Sequence, residues 1–405
     1  MINGANTAWM LIATSLVMLM TPGLAFFYGG LVGRKNVLTI MAQSFASMSI
    51  TTVIWFLVGY SLCFSGGEGG FIGNLDMAFF HGINVSTIMQ GNNIPLLVFA
   101  AYQMMFAIIT PALITGAFAN RIRFGAYVIF LVVWLLFVYF PLVHMVWGGG
   151  YFAQLGILDY AGGIVVHTSA GMAALASIVF VGRRRVLGEH PHNLPLVAIG
   201  TGLLWFGWYG FNAGSELKID AVTAQAFLNT DVAASFAAFI WVIIDWIRYK
   251  KPKFLGLLTG AVAGLATITP AAGYVSLTSA VIIGCLAGFI CYMAVEMKNK
   301  LKWDDALDVW GVHGVGGIIG TIFLGIFGST LVNPAGANGL IYGGGAFFLK
   351  ELLAVIAVGI YAFVFSWVAL KIINIFVKVR VSTKEEQDGL DFSLHGETAY
   401  EENIA

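Results

Sequence analysis

The sequence has 405 residues, of which 59% are hydrophobic and 10% charged, and its formal net charge is zero. With a mean hydropathy of +0.88, it excludes a water-soluble domain and gives no bulk charge to hold nucleic acid; it describes an all-α polytopic membrane protein. Cys63, Cys285 and Cys291 lack metal-binding spacing, so neither a disulfide framework nor a metal site is expected, and no cofactor.

A bilayer core takes about 20 apolar residues per helix. The first apolar run is preceded by no positive side chain and is long enough to span, so it reads as a span and not a cleaved leader. Runs bounded by charged or Gly/Pro-rich breaks predict eleven transmembrane helices. They lie near 8–28, 37–61, 95–119, 125–143, 162–182, 195–213, 229–247, 255–273, 277–297, 307–328 and 347–376. Seventeen of the 20 basic residues fall after spans 1, 3, 5, 7, 9 and 11. Basic loops stay in the cytoplasm, so the parity predicts an N-out, C-in chain in the cytoplasmic membrane. A β-barrel is excluded, because its strands would be half as long and would alternate in polarity. The chain divides into a membrane domain, 1–376, and a polar cytoplasmic tail, 377–405.

Five spans is an odd number, so spans 1–5 and 6–10 run in opposite senses, the layout of two five-helix inverted repeats plus one extra helix. Ile109-Thr110-Pro111-Ala112 in span 3 matches Ile268-Thr269-Pro270-Ala271 in span 8. Spans 5 and 10 each hold one histidine, His167 and His313, in a glycine-rich run. At about 1.5 Å per residue, His167 lies roughly 24 Å from Arg183 and His313 roughly 16 Å from Lys302, both near mid-membrane. Ionisable groups at that depth are functional by default. A single buried histidine is as readily a helix tie; two on matched spans suggest a polar stripe or proton relay. Haem ligation would call for more histidines. The same ruler puts Phe106 and Phe211 near or just outside the histidine level, and Trp147 and Ser215 roughly 30 Å or more from the inner side, at the outer mouth.

The motifs Asp159-Tyr160-Ala161-Gly162-Gly163-Ile164-Val165-Val166-His167, His190-Pro191-His192-Asn193-Leu194-Pro195 and Gly207-Trp208-Tyr209-Gly210-Phe211-Asn212-Ala213-Gly214-Ser215 resemble the ammonium transporter family (Amt/Mep/Rh). Asp308-Val309-Trp310-Gly311-Val312-His313-Gly314 and Gly389-Leu390-Asp391 with His395-Gly396-Glu397 extend the resemblance over nearly the whole chain. The resemblance implies a homotrimer in the lipid bilayer, with a pore in each protomer carrying ammonium or ammonia, and methylammonium as an analogue. It implies a transporter, not an enzyme. Trp147, Phe106, Ser215 and Tyr102 would recruit the cation, Phe106 and Phe211 would gate, and His167, His313 and Trp208 would line the pore. Tyr139 would contribute near the mouth, and Asp159 would organise the recruitment site or relay protons. Gly389, Leu390 and Asp391 in the tail would serve regulation by a PII-type protein. Tyr102, Glu216 and Leu307 depart from common family residues at their positions. An ammonium sensor with little flux is the alternative from another class; a Rh-like conductor of neutral gas fits the Trp147 and Ser215 set less well.

Overall fold

A computed structural model describes residues 1–186 and 190–400. Among these, ten helices are long and apolar enough to cross a membrane, and an eleventh, shorter apolar helix completes the predicted set. We number them α1 (Gly4–Leu31), α2 (Arg34–Phe64), α3 (Leu96–Ile114), α4 (Phe124–Gln154), α5 (Gly163–Val181) and α6 (Leu194–Glu216). There follow α7 (Ala221–Tyr249), α8 (Phe254–Ile268), α9 (Leu277–Lys300), α10 (Trp310–Phe327) and α11 (Gly345–Phe376). A twelfth, α12 (Thr383–Asp388), lies in the tail.

Local chemistry sets the helix ends. Asn3, Asn193 and Ser276 accept backbone N–H bonds at the starts of α1, α6 and α9. Asp220 and Thr223 form a reciprocal capping box at the start of α7. That cap places the α7 start eight residues before the predicted 229. Asp231 is internal to the helix, where its carboxylate accepts from Tyr209 Oη at 2.7 Å and Trp205 Nε1 at 3.2 Å. α8 stops at Ile268, short of the predicted 273; Pro270 has no N–H with which to continue the ladder. In the other half the matched Pro111 stays inside α3.

The two halves pack alike. α1 lies against α6, α2 packs on α3 as α7 packs on α8, and α5 crosses α10. At that last crossing a Cβ on Gly171 would sit 2.0 Å from Gly314 Cα, so only a glycine lets the two backbones meet. Four helices contain a π-helical turn: α2 at Trp55–Gly59, α4 at Leu135–Tyr139, α5 at Gly163–Thr168 and α10 at Trp310–Gly314. The last two carry His167 and His313. Outward-facing positions are apolar along the bundle, for example Ile12, Val53, Phe206, Phe239, Phe289 and Ile360. They form the lipid-compatible surface of a multi-pass membrane protein.

The tail packs across one end of the bundle. Arg380 reaches the carbonyls of Val181 and Arg183 and the carboxylate of Glu386. Glu385 pairs with Arg123 at 2.8 Å. Asp391 accepts the N–H groups of Leu38 and Thr39 at 3.0 and 2.8 Å, so a tail residue caps α2. The connections after α1, α3 and α5 therefore share one face with the tail, as the charge parity requires. Residues 401–405 of the predicted tail lie outside the described residues.

Candidate functional site

Three cavities follow one another through the bundle. The first, a mouth of about 280 Å³ at the end away from the tail, is lined by Phe99, Gln103, Phe106, Trp147, Tyr160 and Ser215. The second is a central lumen between the two halves with free volume of about 10 Å³, the space of one water-sized molecule. Apart from His167, His313 and Trp208, its wall is apolar, including Leu24, Ile109, Val166 and Leu204. The third, about 170 Å³, opens toward the tail and shares His313 with the lumen.

At the mouth, the Trp147 indole stands edge-on to the Phe106 ring, with centroids 5.9 Å apart. Its Nε1 donates to the Asp159 carbonyl at 2.8 Å, which fixes the ring plane. Tyr102 is fully buried, with its ring 5.0 Å from Phe106. Its hydroxyl lies 2.9 Å from the Gly210 and Phe211 carbonyls and 3.2 Å from Ser215 Oγ. Ser215 Oγ donates to the Phe211 carbonyl at 2.9 Å, which leaves its lone pairs as acceptors beside the mouth. Glu216 does not line the mouth but accepts from Tyr160 Oη, which does, at 3.1 Å. Lys218 lies 3.4 Å from Glu216 and 2.9 Å from Asp220, so the acidic residue is partly balanced.

Phe106 and Phe211 separate mouth from lumen. Their centroids are 4.2 Å apart at 31°, a tight offset stack with no passage for a hydrated ion. Below them His167 stacks on Trp208 at 5.4 Å and on His313 at 5.3 Å. The two Nδ1 atoms are 3.3 Å apart, and both rings are buried. One shared hydrogen bond requires a proton on one Nδ1 and a lone pair on the other. When both rings are neutral, the two Nε2 atoms are left with opposite roles, one acceptor and one donor. His167 Nε2 has no protein partner. Trp208 is held in turn: Nε1 donates to Thr269 Oγ1 at 2.8 Å, and Asn212, which bonds Thr230, faces the same hydroxyl at 3.2 Å.

Asp159 is buried, and its carboxylate is saturated. Oδ1 accepts from Gly162 and Gly163 at 2.8 and 2.6 Å, and Oδ2 from Ile164 and Val165 at 2.8 and 3.0 Å. The four acceptor positions of a carboxylate are thereby used at the start of α5. Its fellow in the second half is Asp305, whose Oδ2 accepts from Trp310 N at 2.7 Å at the start of α10. Asp308, which the sequence motif favours, pairs instead with Lys298 at 2.6 Å. Asp159 and Asp305 each stand eight residues before their histidine, a spacing that the sequence shows once the two motifs are aligned.

Tyr139 is fully buried. It lies in the π turn of α4, stacked on Trp134 at 6.2 Å and beside Phe140, and it lines neither mouth nor lumen. Glu351 of α11 has no signal in the motifs. It is fully buried, and its Oε1 accepts Leu158 N at 2.7 Å, directly before Asp159. In the tail, Leu390 N donates to Asn36 Oδ1 at 2.9 Å, and Gly389 (φ 96°) lies against Lys35. No cluster of metal-ligating side chains occurs among the described residues.

Comparison with known proteins agrees with this geometry. The sequence profile described as Ammonium Transporter Family matches residues 8–400. An ammonium transporter of Bacillus subtilis is 45% identical over 401 residues, covering 98% of this chain and 99% of that protein. The crystal structure of Candida albicans Mep2 superposes with a TM-score of 0.88 at 33% identity, over 95% of this chain and 88% of that one. A structure titled Sensor Amt Protein does so with 0.85 at 29% identity, over 96% and 98% of the two chains. With this agreement of sequence and fold, the chain belongs to the ammonium transporter family.

Proposed function

We propose that each protomer recruits ammonium at an outer mouth, strips it of a proton, and passes ammonia through the lumen while the proton crosses separately. The orientation is N-out and C-in across the cytoplasmic membrane. The observation that carries the reading is the His167–His313 pair, Nδ1 to Nδ1 at 3.3 Å, in a lumen with room for one small molecule.

The chemistry follows from the order of the cavities. Ammonium and potassium match in charge and nearly in size, so a ring of charges does not separate them. Trp147, Phe106 and Tyr102 offer ring faces and edges, and a cation over an aromatic face gains about 0.5–2 kcal/mol. The free acceptor of Ser215 takes an N–H hydrogen bond, which potassium lacks. Beyond the Phe106–Phe211 stack the wall is apolar, and an unpaired ion there is costly enough that an ionisable one sheds its charge. Ammonium has a proton to lose and potassium does not. Ammonia then meets a histidine Nε2 acceptor and a histidine Nε2 donor. Asp159, saturated by backbone, organises the mouth without serving as an ion ligand.

We assign the protein to a homotrimer and the tail to docking of a PII-type partner. The tail's fit across the loops after α1, α3 and α5, with Phe392 exposed, supports this assignment. Likeness to the sensor structure supports the alternative of a signalling protein with little flux.

The test is current on a solid-supported membrane carrying the protein. Ammonium is expected to give a transient inward current and potassium none. Equal potassium current would refute the reading; ammonium binding without flux would favour the sensor; ammonia flux without current would remove the separate proton path.

A further inference from the structure

We infer that His144 is an imidazolium, protonated on both nitrogens, that acts as a positioning residue for Trp147. This rests on the reading of Trp147 as part of the recruitment site. His144 is fully buried in the last turn of the α4 segment that ends at Trp147. Its Nδ1 lies 3.0 Å from the Cys63 carbonyl and its Nε2 lies 2.9 Å from the Gly67 carbonyl. Carbonyl oxygens only accept. A neutral ring has one N–H and one lone pair, so one of these contacts would set a lone pair directly against a carbonyl oxygen, at a distance too short for a bridging water. Two N–H donors satisfy both.

The surroundings favour that cation independently of the hydrogen-bond count. The ring sits where two helices end: Cys63 belongs to the last turn of α2 and His144 to the last turn before Gly148 in α4. Helix C-termini expose unpaired carbonyls and the negative end of the helix dipole. Among the described residues no carboxylate forms an ion pair with His144, so carbonyl dipoles alone balance it. Cys63, whose backbone carbonyl the ring meets, carries a buried thiol directed at the Phe140 carbonyl. The contrast with His167 and His313 is instructive, because there a nitrogen faces a nitrogen and the proton must be shared.

The clasp joins the α2 end to the turn that presents Trp147. Gly148 and Gly150 N–H donate to the His144 carbonyl, Gly69 N–H to Gly149, and Tyr151 N–H to Gly70. The approach is so close that a Cβ on Gly148 would lie 2.0 Å from the Cys63 carbonyl. The indole is thus held at two places, its base by His144 and its Nε1 by the Asp159 carbonyl.

Two measurements test this. His144-Met145 is the single His-Met pair of the sequence. Labelled histidine combined with 15N-methionine therefore selects His144 in wild-type proteoliposomes by solid-state NMR. Both ring nitrogens bearing protons supports the inference; one protonated and one bare nitrogen overturns it. Second, His144→Gln, which cannot reach both carbonyls, should raise the half-saturating ammonium concentration about tenfold, the equivalent of one charge-assisted hydrogen bond, while maximal current per folded trimer changes little. A merely structural role would lower the amount of competent protein and leave half-saturation as in wild type, and that result overturns the positioning role. Absence of ammonium current from the wild type would refute the recruitment reading instead, and the NMR result does not depend on it.

Discussion

Replacing Asp159 by asparagine separates a scaffold from a chemical role. The carboxylate receives four backbone N–H groups, two on each oxygen, at 2.6 to 3.0 Å. An asparagine keeps one oxygen, and with it two of those bonds. Its NH2 group then faces the other two N–H donors, which are buried and left unsatisfied. Hydrogen bonds to a charged acceptor contribute about 1.5–3 kcal/mol each, so losing two destabilises the start of α5 by about 3–6 kcal/mol. That range reaches the exceptional end for a single substitution. Thermal unfolding in detergent, followed by size exclusion, should show the loss, and transport should fall in proportion to folded protein. An Asp159→Asn variant as stable as wild type but unable to carry ammonium current would refute the reasoning, since the carboxylate would then be needed for chemistry.

Three further outcomes are expected. His167→Ala or His313→Ala should leave the fold intact, because each removes a ring from a small cavity, but should admit potassium or uncouple the proton; currents with both cations check this. Glu351→Ala leaves the Leu158 N–H without its partner and should destabilise by about 1–3 kcal/mol and raise half-saturating ammonium, whereas Glu351→Gln retains a carbonyl acceptor and should restore both. For Asp304, burial works to raise the pKa, but Arg121 at 3.3 Å and Arg184 at 2.8 Å outweigh it and hold the carboxyl below the usual carboxylate range. Its stabilising contribution is therefore present above the ordinary carboxylate pKa and lost as pH falls through the depressed folded value; Asp304→Asn should flatten that acid limb in unfolding measured against pH.

The eleven helices were legible because apolar length and the placement of basic residues are one-dimensional signals. The aromatic and histidine residues around the central cavities were singled out by motif resemblance and roughly by depth along a regular helix. Angular position was not. His167, His313 and Tyr139 all lie in π turns, where the rotation per residue departs from the regular value. The structure brings the first two face to face, and it stacks the third on Trp134. Asp305 escaped notice because Asp308 stands closer to the apolar run, and only a backbone N–H at Trp310 reveals which carboxylate caps α10. Glu351 and His144 act on backbone groups far away in sequence, Leu158 for one and Cys63 and Gly67 for the other, and no local pattern announces such partners.

The cap that Asp391 places on α2 makes the tail part of a membrane helix. α2 starts under two N–H groups held by that carboxylate and ends at Phe64, which lines the mouth. From Thr39 to Phe64 it is a rod roughly 38 Å long. Lifting the tail strips the rod of its anionic end, a change that weakens a helix by about 1 kcal/mol. The π turn at Trp55–Gly59 interrupts the rod on its way to the mouth, a joint at which rotation can be taken up without unravelling the helix. Tail and mouth thus terminate the same mechanical member, and the state of one is a boundary condition on the other.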